Sequence, residues 1–485
     1  MTSEDSGSPI LKPGKTCWRI EHAQRLSVIV DAADYFKTIR VAIRQARHTV
    51  MLIGWDFDTR IKLDPLDGST DVPNRLGKFL SWAVKRRPDL KIYILKWDLG
   101  MVQALGRGAT PMLVFDWMTN SRIRFKLDHA HPPGATHHQK IVVIDDALAF
   151  CGGIDMTADR WDTREHRDED PHRTRPTTKR LYGPWHDMTT AVDGDAARAL
   201  GDLARDRWKR ATGEVLEPAP PVSGAWPEGL DPSMTDVDVA ISRTQPAFGD
   251  DAAVHEIEAL YMAAIAGAKR TLYIESQYFA SRKLAEAMAA RLREPDGPEI
   301  VIVNPEEADG WLEEEVMGSS RVRLLRLIRK ADVHNRFRLY TPVTEGGTPI
   351  YVHAKALVMD DRLLRVGSSN LNNRSQGYDT ECDLSVEVPP GEREELRQKI
   401  VGLRNDLLAE HLGVENEAVE SAIADSGSLI AAIESLRGSG RTLVPFDPPE
   451  LNAVEEEVLG ENDLMDPERP SRAWRNGIMS LFSRK

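Results

Sequence analysis

Residues 137–155, HHQKIVVIDDALAFCGGID, and residues 352–370, VHAKALVMDDRLLRVGSSN, are two versions of one pattern. In each, a histidine, one spacer and a lysine precede four apolar residues and an aspartate; six residues later come two small ones. The first copy carries His138, Lys140, Asp145, Gly152 and Gly153, and the second His353, Lys355, Asp360, Gly367 and Ser368. The runs IVVI and ALVM end in Asp-Asp, a turn signal, and a second apolar run follows each. Both stretches are therefore predicted to be β-hairpins with the histidine and lysine on the leading strand, where residues two apart face the same side.

Working outward, the repeat extends beyond the motif. Ala32, Ala33, Phe36, Ile39, Ile43 and Ala46 recur at helical spacing and precede the apolar run TVMLIGW. Ala253, Ile257, Leu260, Tyr261, Ala264, Ile265 and Ala268 do the same ahead of TLYIESQYF. A helix leading into a buried strand thus occurs twice, about 220 residues apart, as a duplicated unit requires. Six prolines among Gly, Ser and Asp make 215–250 the expected linker between halves 21–214 and 251–412. Residues 1–20 are expected to be a flexible start, 413–445 a helical extension, and 446–485 an acidic arm with a basic amphipathic end.

The 485 residues include 41% hydrophobic and 29% charged residues, a globular balance with length for a large core. A net charge of −13 opposes sequence-independent binding to a polyanion, so a general nucleic-acid binder is disfavoured. Cys17, Cys151 and Cys382 are too far apart for a disulfide framework or a CxxC knuckle, which suits a reducing compartment. MTSEDSGSPILKPGK has neither the basic start nor the apolar core of a leader, and no apolar run nears the ~18 residues a span needs. A cytoplasmic protein that touches membranes peripherally is the expectation.

Two His-Lys pairs meeting at one pocket would surround a phosphate. The lysines would neutralise its non-bridging oxygens without a metal, one neutral imidazole could attack phosphorus, and the other, protonated, could supply the leaving alcohol. The histidines must then differ in protonation, and Asp187 and Glu381 are the carboxylates expected to set that difference. Gly152, Gly153, Gly367, Ser368 and Ser369 would let backbone approach the phosphate, with Asp155 and Asn370 as polar contacts.

The duplicated motif resembles the signature of the phospholipase D superfamily, over about residues 20–412. GWDFDTRIKL, the PWHDM around His186 and Asp187, IESQYF and GSSNLNNRSQGYDTECD are similar to the branch that contains the eukaryotic enzymes. Ser276 stands where that branch usually has Asn, and the N-terminal lipid-targeting modules of those larger enzymes are not seen. The resemblance implies an α/β fold of two pseudo-symmetric halves, each a mixed sheet flanked by helices, with one active site at the seam. It also implies His138 as nucleophile and His353 as acid then base. Lys140, Lys355 and Asn370 would hold phosphate, Asp187 and Glu381 would orient the histidines, and no cofactor is implied. Asp145 and Asp360 belong to the signature, with a structural role at the turn as the competing reading. The implied reaction is hydrolysis of a glycerophospholipid to phosphatidate, with transfer to alcohols. A phosphatidyl transferase of the cardiolipin- or phosphatidylserine-synthase kind and a nucleic-acid phosphodiesterase are the alternatives.

Weaker signals have plainer readings. Asp128, His129, His131, His137 and His138 crowd DHAHPPGATHH, but no second ligand cluster accompanies them and no metal is expected. PMLVFDWM (111–118) is read as a packed helix rather than a lipid gate, and TREHRDEDPHRTRPTTKR (163–180) as a solvated loop. Trp474, Ile478, Leu481 and Phe482, with Arg472, Arg475, Arg484 and Lys485, suit either a membrane surface or docking back onto the protein.

Overall fold

The structure is a computed structural model that describes residues 8–69, 71–98, 121–307, 318–389 and 391–447. The expectations for 111–118 and 470–485 lie outside the described residues.

The first half contributes β1 (Arg19–Val30), β2 (Thr49–Gly54), β3 (Lys91–Trp97), β4 (Ile123–Asp128), β5 (Ile141–Ile144), β6 (Leu148–Gly152), β7 (Trp185–His186) and β8 (Met188–Asp193). The second contributes β9 (Met234–Gln245), β10 (Val254–His255), β11 (Thr271–Glu275), β12 (Glu299–Val303), β13 (Phe337–Val343), β14 (Tyr351–Val352), β15 (Ala356–Met359), β16 (Leu363–Gly367), β17 (Glu381–Glu387) and β18 (Thr442–Pro445). Outward from β1 the order is β8, β6, β5, β2, β3, β4; outward from β9 it is β17, β16, β15, β11, β12, β13, β18. The two halves are thus mirrored in strand order about a β1–β9 seam, an antiparallel pair in which Arg19 faces Ile241 and Leu26 faces Met234. They form one continuous mixed sheet rather than two separate ones.

Both faces of the sheet are covered, so its central strands are apolar on both sides. Along β2, Met51 and Ile53 pack on the face shared by both halves, while Val50 and Leu52 pack on the opposite one. The shared face lies under helices Gly194–Thr212 and Glu394–Leu412, through Leu200, Trp208, Ile400 and Leu407. The opposite face divides into two cores. Helices Ala32–Gln45 and Leu76–Arg86 bury Phe36, Ile39 and Phe79 in the first half. Helices Glu256–Gly267, Arg282–Leu292 and Ser319–Ala331 bury Leu260, Met288 and Leu325 in the second. The duplicated helix-then-strand units are present as Ala32–Gln45 with β2 and Glu256–Gly267 with β11.

Three boundaries differ from the sequence reading. The linker does not extend to 250: residues 234–245 are β9, the longest strand of the second half and half of the seam. The start is not flexible from residue 8 onward, because Ile10 and Leu11 are buried and both their N–H groups donate to the Glu387 carboxylate. The extension after 412 contains helices Asn416–Ser426 and Leu429–Leu436 but ends as β18, antiparallel to β13.

The motif hairpins form as β5–β6 and β15–β16. Their aspartates sit at the turns in the left-handed region, Asp145 at φ 53° and Asp360 at φ 52°, which Asp tolerates better than most residues. Each carboxylate accepts three backbone N–H bonds at 2.7–2.9 Å, Asp145 from Arg47, His48 and Thr49, and Asp360 from Lys269, Arg270 and Thr271. These are the segments that enter β2 and β11. The direct catalytic role considered for Asp145 and Asp360 is therefore replaced by a structural one: each lies a whole strand, roughly 15 Å, from its lysine. Asp360→Ala should lower stability by about 3 kcal/mol in urea unfolding while the folded fraction keeps turnover within a few-fold. Unchanged stability with a thousandfold loss of rate would return the aspartate to the chemistry.

Candidate active site

The H-x-K segments are extended but precede the hairpin strands, contrary to the expectation that they lie on them, and each pairs across the seam with the other half. His137 bridges Thr380, and the His138 N–H donates to the Thr380 carbonyl at 3.0 Å. In the related position β14 runs parallel to β7, and the His353 N–H donates to the His186 carbonyl at 2.7 Å. Thr380 and His186 immediately precede Glu381 and Asp187. The backbone pairing therefore delivers each acid to the opposite half's histidine: Glu381 meets His138 Nδ1 at 3.0 Å, and Asp187 meets His353 Nδ1 at 2.6 Å. With either carboxylate ionised, Nδ1 carries the proton and Nε2 keeps its lone pair.

The small residues make room for neighbouring protein groups, among them Asp187. A Cβ on Gly153 would stand 2.2 Å from Asp187 Oδ1, and one on Gly152 would stand 2.4 Å from Thr189 Cα. Likewise, one on Gly367 would stand 2.0 Å from Asp383 Oδ1. In the second half Ser368 hydrogen-bonds Glu381 through its hydroxyl, and Ser375 donates to the other Glu381 oxygen at 2.7 Å. Ser369 donates at 2.6 Å to Asp383, which also pairs with Arg365 in the core. Asp155 bonds Lys140 at 3.2 Å and accepts the Trp55 N–H at 3.1 Å, so it places the lysine. Asn370 is buried, its carbonyl accepting from Gln376 at 2.9 Å. Ser276 is satisfied without the usual Asn, donating to the Tyr278 carbonyl at 2.8 Å and accepting the Leu371 N–H at 3.2 Å.

Both lysines fold back onto their motifs. Lys140 donates to the His138 carbonyl at 2.9 Å, and Lys355 donates to the His353 carbonyl and, at 3.3 Å, to Gln277. Gln277 also donates to the Tyr351 hydroxyl at 2.8 Å, whose ring stacks on Trp185 with centroids 4.5 Å apart. Trp185 in turn lies 5.2 Å from the His353 ring and under the Arg160 guanidinium. Arg160, Trp185, Gln277 and Tyr351 were not singled out from the sequence; the quoted PWHDM and IESQYF held two of them.

Burial and concentrated positive charge set the protonation. Burial, then Lys140 and Lys355, hold His138 well below the ordinary imidazole value; burial, then Lys355, Arg160 and Lys140, do the same for His353. Burial raises Asp187 to about 7 against the pull of Lys355, and Glu381 to about 7 against Lys140. Burial lowers Lys355 to about 7 even though Asp187 favours its charge. An arriving anion counters the lysine charge and raises the affinity of these groups for protons.

The Asp128–His138 segment is dispersed into other contacts. Asp128 pairs with Arg207 at 2.8 Å, His131 with Asp98 at 3.1 Å, and His137 Nδ1 with the Thr380 hydroxyl at 2.7 Å. Residues 163–180 are not uniformly solvated. His166 and Arg173 are buried, because Asp162 contacts both and Glu410 contacts His166 inside the protein. His166, His186, Asp31 and Glu410 form a buried cluster that the sequence reading did not assemble.

Fold and site define a class of two-lobed α/β protein, one H-x-K motif per lobe and one shared site. Residues 119–224 match the family model described as "Phospholipase D", and residues 261–400 the one described as "Cardiolipin synthase, PLD-like domain". Phospholipase D A of Dictyostelium discoideum is 26% identical over 431 residues, covering 74% of this chain and 32% of that protein. Phospholipase D alpha 4 of Arabidopsis thaliana is 24% identical over 464 residues, covering 73% and 60%. The chain thus spans about a third and three-fifths of the length of these relatives. A crystal structure of phosphatidylserine synthase from Haemophilus influenzae Rd KW20 shares the fold, with TM-score 0.52 and 13% identity over 78% of this chain and 86% of that one. The chain belongs to the phospholipase D superfamily, on its eukaryotic-type side.

Because Lys355, Asp187 and Glu381 all lose protons near pH 7, raising the pH makes the empty site more negative. Calorimetric titration with sulfate, whose charge is constant between pH 6 and 9, should show affinity falling roughly tenfold or more over that range. A flat profile would contradict the assigned protonation.

Proposed function

We propose that this protein is a phospholipase D that cleaves glycerophospholipids to phosphatidate and the free head-group alcohol through a phosphohistidine. The observation that carries the reading is the crossed pair of histidine–carboxylate contacts flanked by Lys140 and Lys355. His138 Nε2 gives its lone pair to phosphorus as the bond from phosphorus to the head-group oxygen breaks, and that oxygen takes the proton of His353. Water then passes a proton to His353 and attacks phosphorus, the P–N bond breaks, and phosphatidate leaves with His138 restored. Lys140 and Lys355 stabilise the charge on the non-bridging oxygens throughout. Entry of the substrate's own negative charge is what allows His353 to be protonated while His138 is neutral. The choice of His138 as nucleophile follows the family resemblance, since the two clamps are nearly equivalent.

A primary alcohol can replace water in the second step, so the same intermediate accounts for transfer. Substrate is taken from a lipid surface, which the protein meets peripherally; among the described residues no helix is long and apolar enough to cross a membrane.

Purified protein incubated with mixed glycerophospholipids and a primary alcohol should yield phosphatidate and phosphatidyl alcohol, identified by mass spectrometry. His138→Ala and His353→Ala should each lose roughly 10³-fold or more in rate, and the double variant little beyond either. With a p-nitrophenyl ester, which needs no acid, His353→Ala should accumulate phosphatidyl adduct on His138. Cleavage of a nucleic acid with no action on lipid would replace the reading, and adduct on His353 with His138 unmodified would reverse the roles.

A further inference from the structure

Behind the clamp at His353 lies a second cluster that the proposed reaction does not use. Asp31 is the residue before helix Ala32–Gln45, His166 lies in the charged loop, His186 belongs to β7, and Glu410 comes from helix Glu394–Leu412 of the second half. All four are buried, and one donor atom from each lies within 4.8 Å of the other three.

The histidine tautomers are set from outside the cluster. His186 Nε2 faces Glu275 at 2.8 Å, and Glu275 also holds His411 at 3.0 Å; His166 Nδ1 faces Asp162 at 3.0 Å. With protons on those two nitrogens, His186 Nδ1 and His166 Nε2 both point lone pairs inward. There they meet only acceptors. His186 Nδ1 is 3.0 Å from Glu410 and 3.3 Å from Asp31, and His166 Nε2 is 3.0 Å from Glu410 and 3.3 Å from Asp31. His186 Nδ1 and Asp31 Oδ2 make no hydrogen bond, an expensive arrangement for buried groups.

Converging lone pairs need a positive centre. Taking Oδ2 as the Asp31 donor, three of the six separations within the cluster are 3.0–3.3 Å, and all lie within 4.8 Å. A tetrahedral zinc ion with ligands at 2.0–2.1 Å sets its donors about 3.3 Å apart. A carboxylate on the outer nitrogen of each imidazole is the usual support of a metal-bound histidine. The alternative is two imidazolium rings, one extra proton each. That state carries the same charge as one divalent ion, but it gives Asp31 Oδ2 only a long 3.3 Å contact with His166 Nε2, whose proton is already directed at Glu410 at 3.0 Å. The guanidinium of Arg441, 3.9 Å from Glu410, adds positive charge at the edge in either state.

We infer that Asp31, His166, His186 and Glu410 form a closed structural site for a divalent cation, with zinc the best-fitting ion. The ion takes no part in the proposed reaction, since its ligands are side chains other than the motif histidines and lysines. Its effect is positional. Asp31 Oδ1 accepts the N–H of Asp187 at 3.1 Å, and the carbonyl of His186 receives the N–H of His353. An ion here ties both partners of the His353 clamp to a helix of the second half.

Metal analysis of the intact protein, produced in zinc-replete medium and dialysed against chelator while folded, tests this. About one zinc per chain should remain, because a closed site releases its ion only on unfolding. Protein refolded with cobalt should show the strong visible absorption of tetrahedral coordination. Glu410→Gln and His166→Gln should lose that absorption and the bound zinc, whereas His131→Ala in the separate DHAHPPGATHH segment should keep both. Should the ligand variants fail to fold, the cobalt spectrum of the unaltered protein decides the coordination. Stoichiometric metal absent after refolding with zinc, an octahedral cobalt spectrum, or zinc retained by folded Glu410→Gln would each overturn the site.

Discussion

Each motif histidine is held by an acid from the other half, and the rest of the site depends on that exchange. Glu381 cannot reach His138 unless the segment after it joins the second-half sheet as β17, and Asp187 cannot reach His353 unless β7 meets β14 across the seam. Neither half alone contains a motif histidine with its orienting carboxylate. The continuous sheet, the long β1–β9 pair and the helix carrying Glu410 all keep the two exchanges in register. Gly153 has no Cβ because Asp187 occupies that space, while the related Ser368 spends its hydroxyl on Glu381.

The exchange also gathers more ionisable groups than a dry pocket tolerates with ordinary charges. Burial favours neutral forms, so the carboxylates and Lys355 are drawn toward neutrality and both histidines away from protonation. The proposed substrate, an anionic phosphodiester, would balance the lysines and permit one imidazole to become an acid.

Much of this was legible in the chain, because the duplicated features are local. His138, Lys140, His353 and Lys355 lie at fixed spacing, and the hairpins and preceding helices announce themselves by periodicity. The pairing of His138 with Glu381 and His353 with Asp187 was not, since linear order carries no statement of which acid crosses the seam. β9 is masked in the sequence by the Pro-rich stretch before it, although Val237 and Val239 are buried between exposed Asp236 and Asp238 in the alternation of a strand. His166 was hidden by its neighbours: a run of charges reads as solvated, and only Asp162 and Glu410, one of them 244 residues away, turn it into a buried cluster. The glycines are legible as places of close approach, but what approaches them is protein: the Thr189 backbone at Gly152 and the Asp187 and Asp383 carboxylates at Gly153 and Gly367.

The most direct test of the crossed exchange is nitrogen NMR of histidine-labelled protein. His138 and His353 should each show a protonated Nδ1 and an unprotonated Nε2 in the empty site. Glu381→Gln should then perturb the ring nitrogens of His138 in the first half and leave those of His353 unchanged, with Asp187→Asn doing the reverse. Perturbation of the histidine in the same half as the substituted acid, with the opposite one unaffected, would contradict the account.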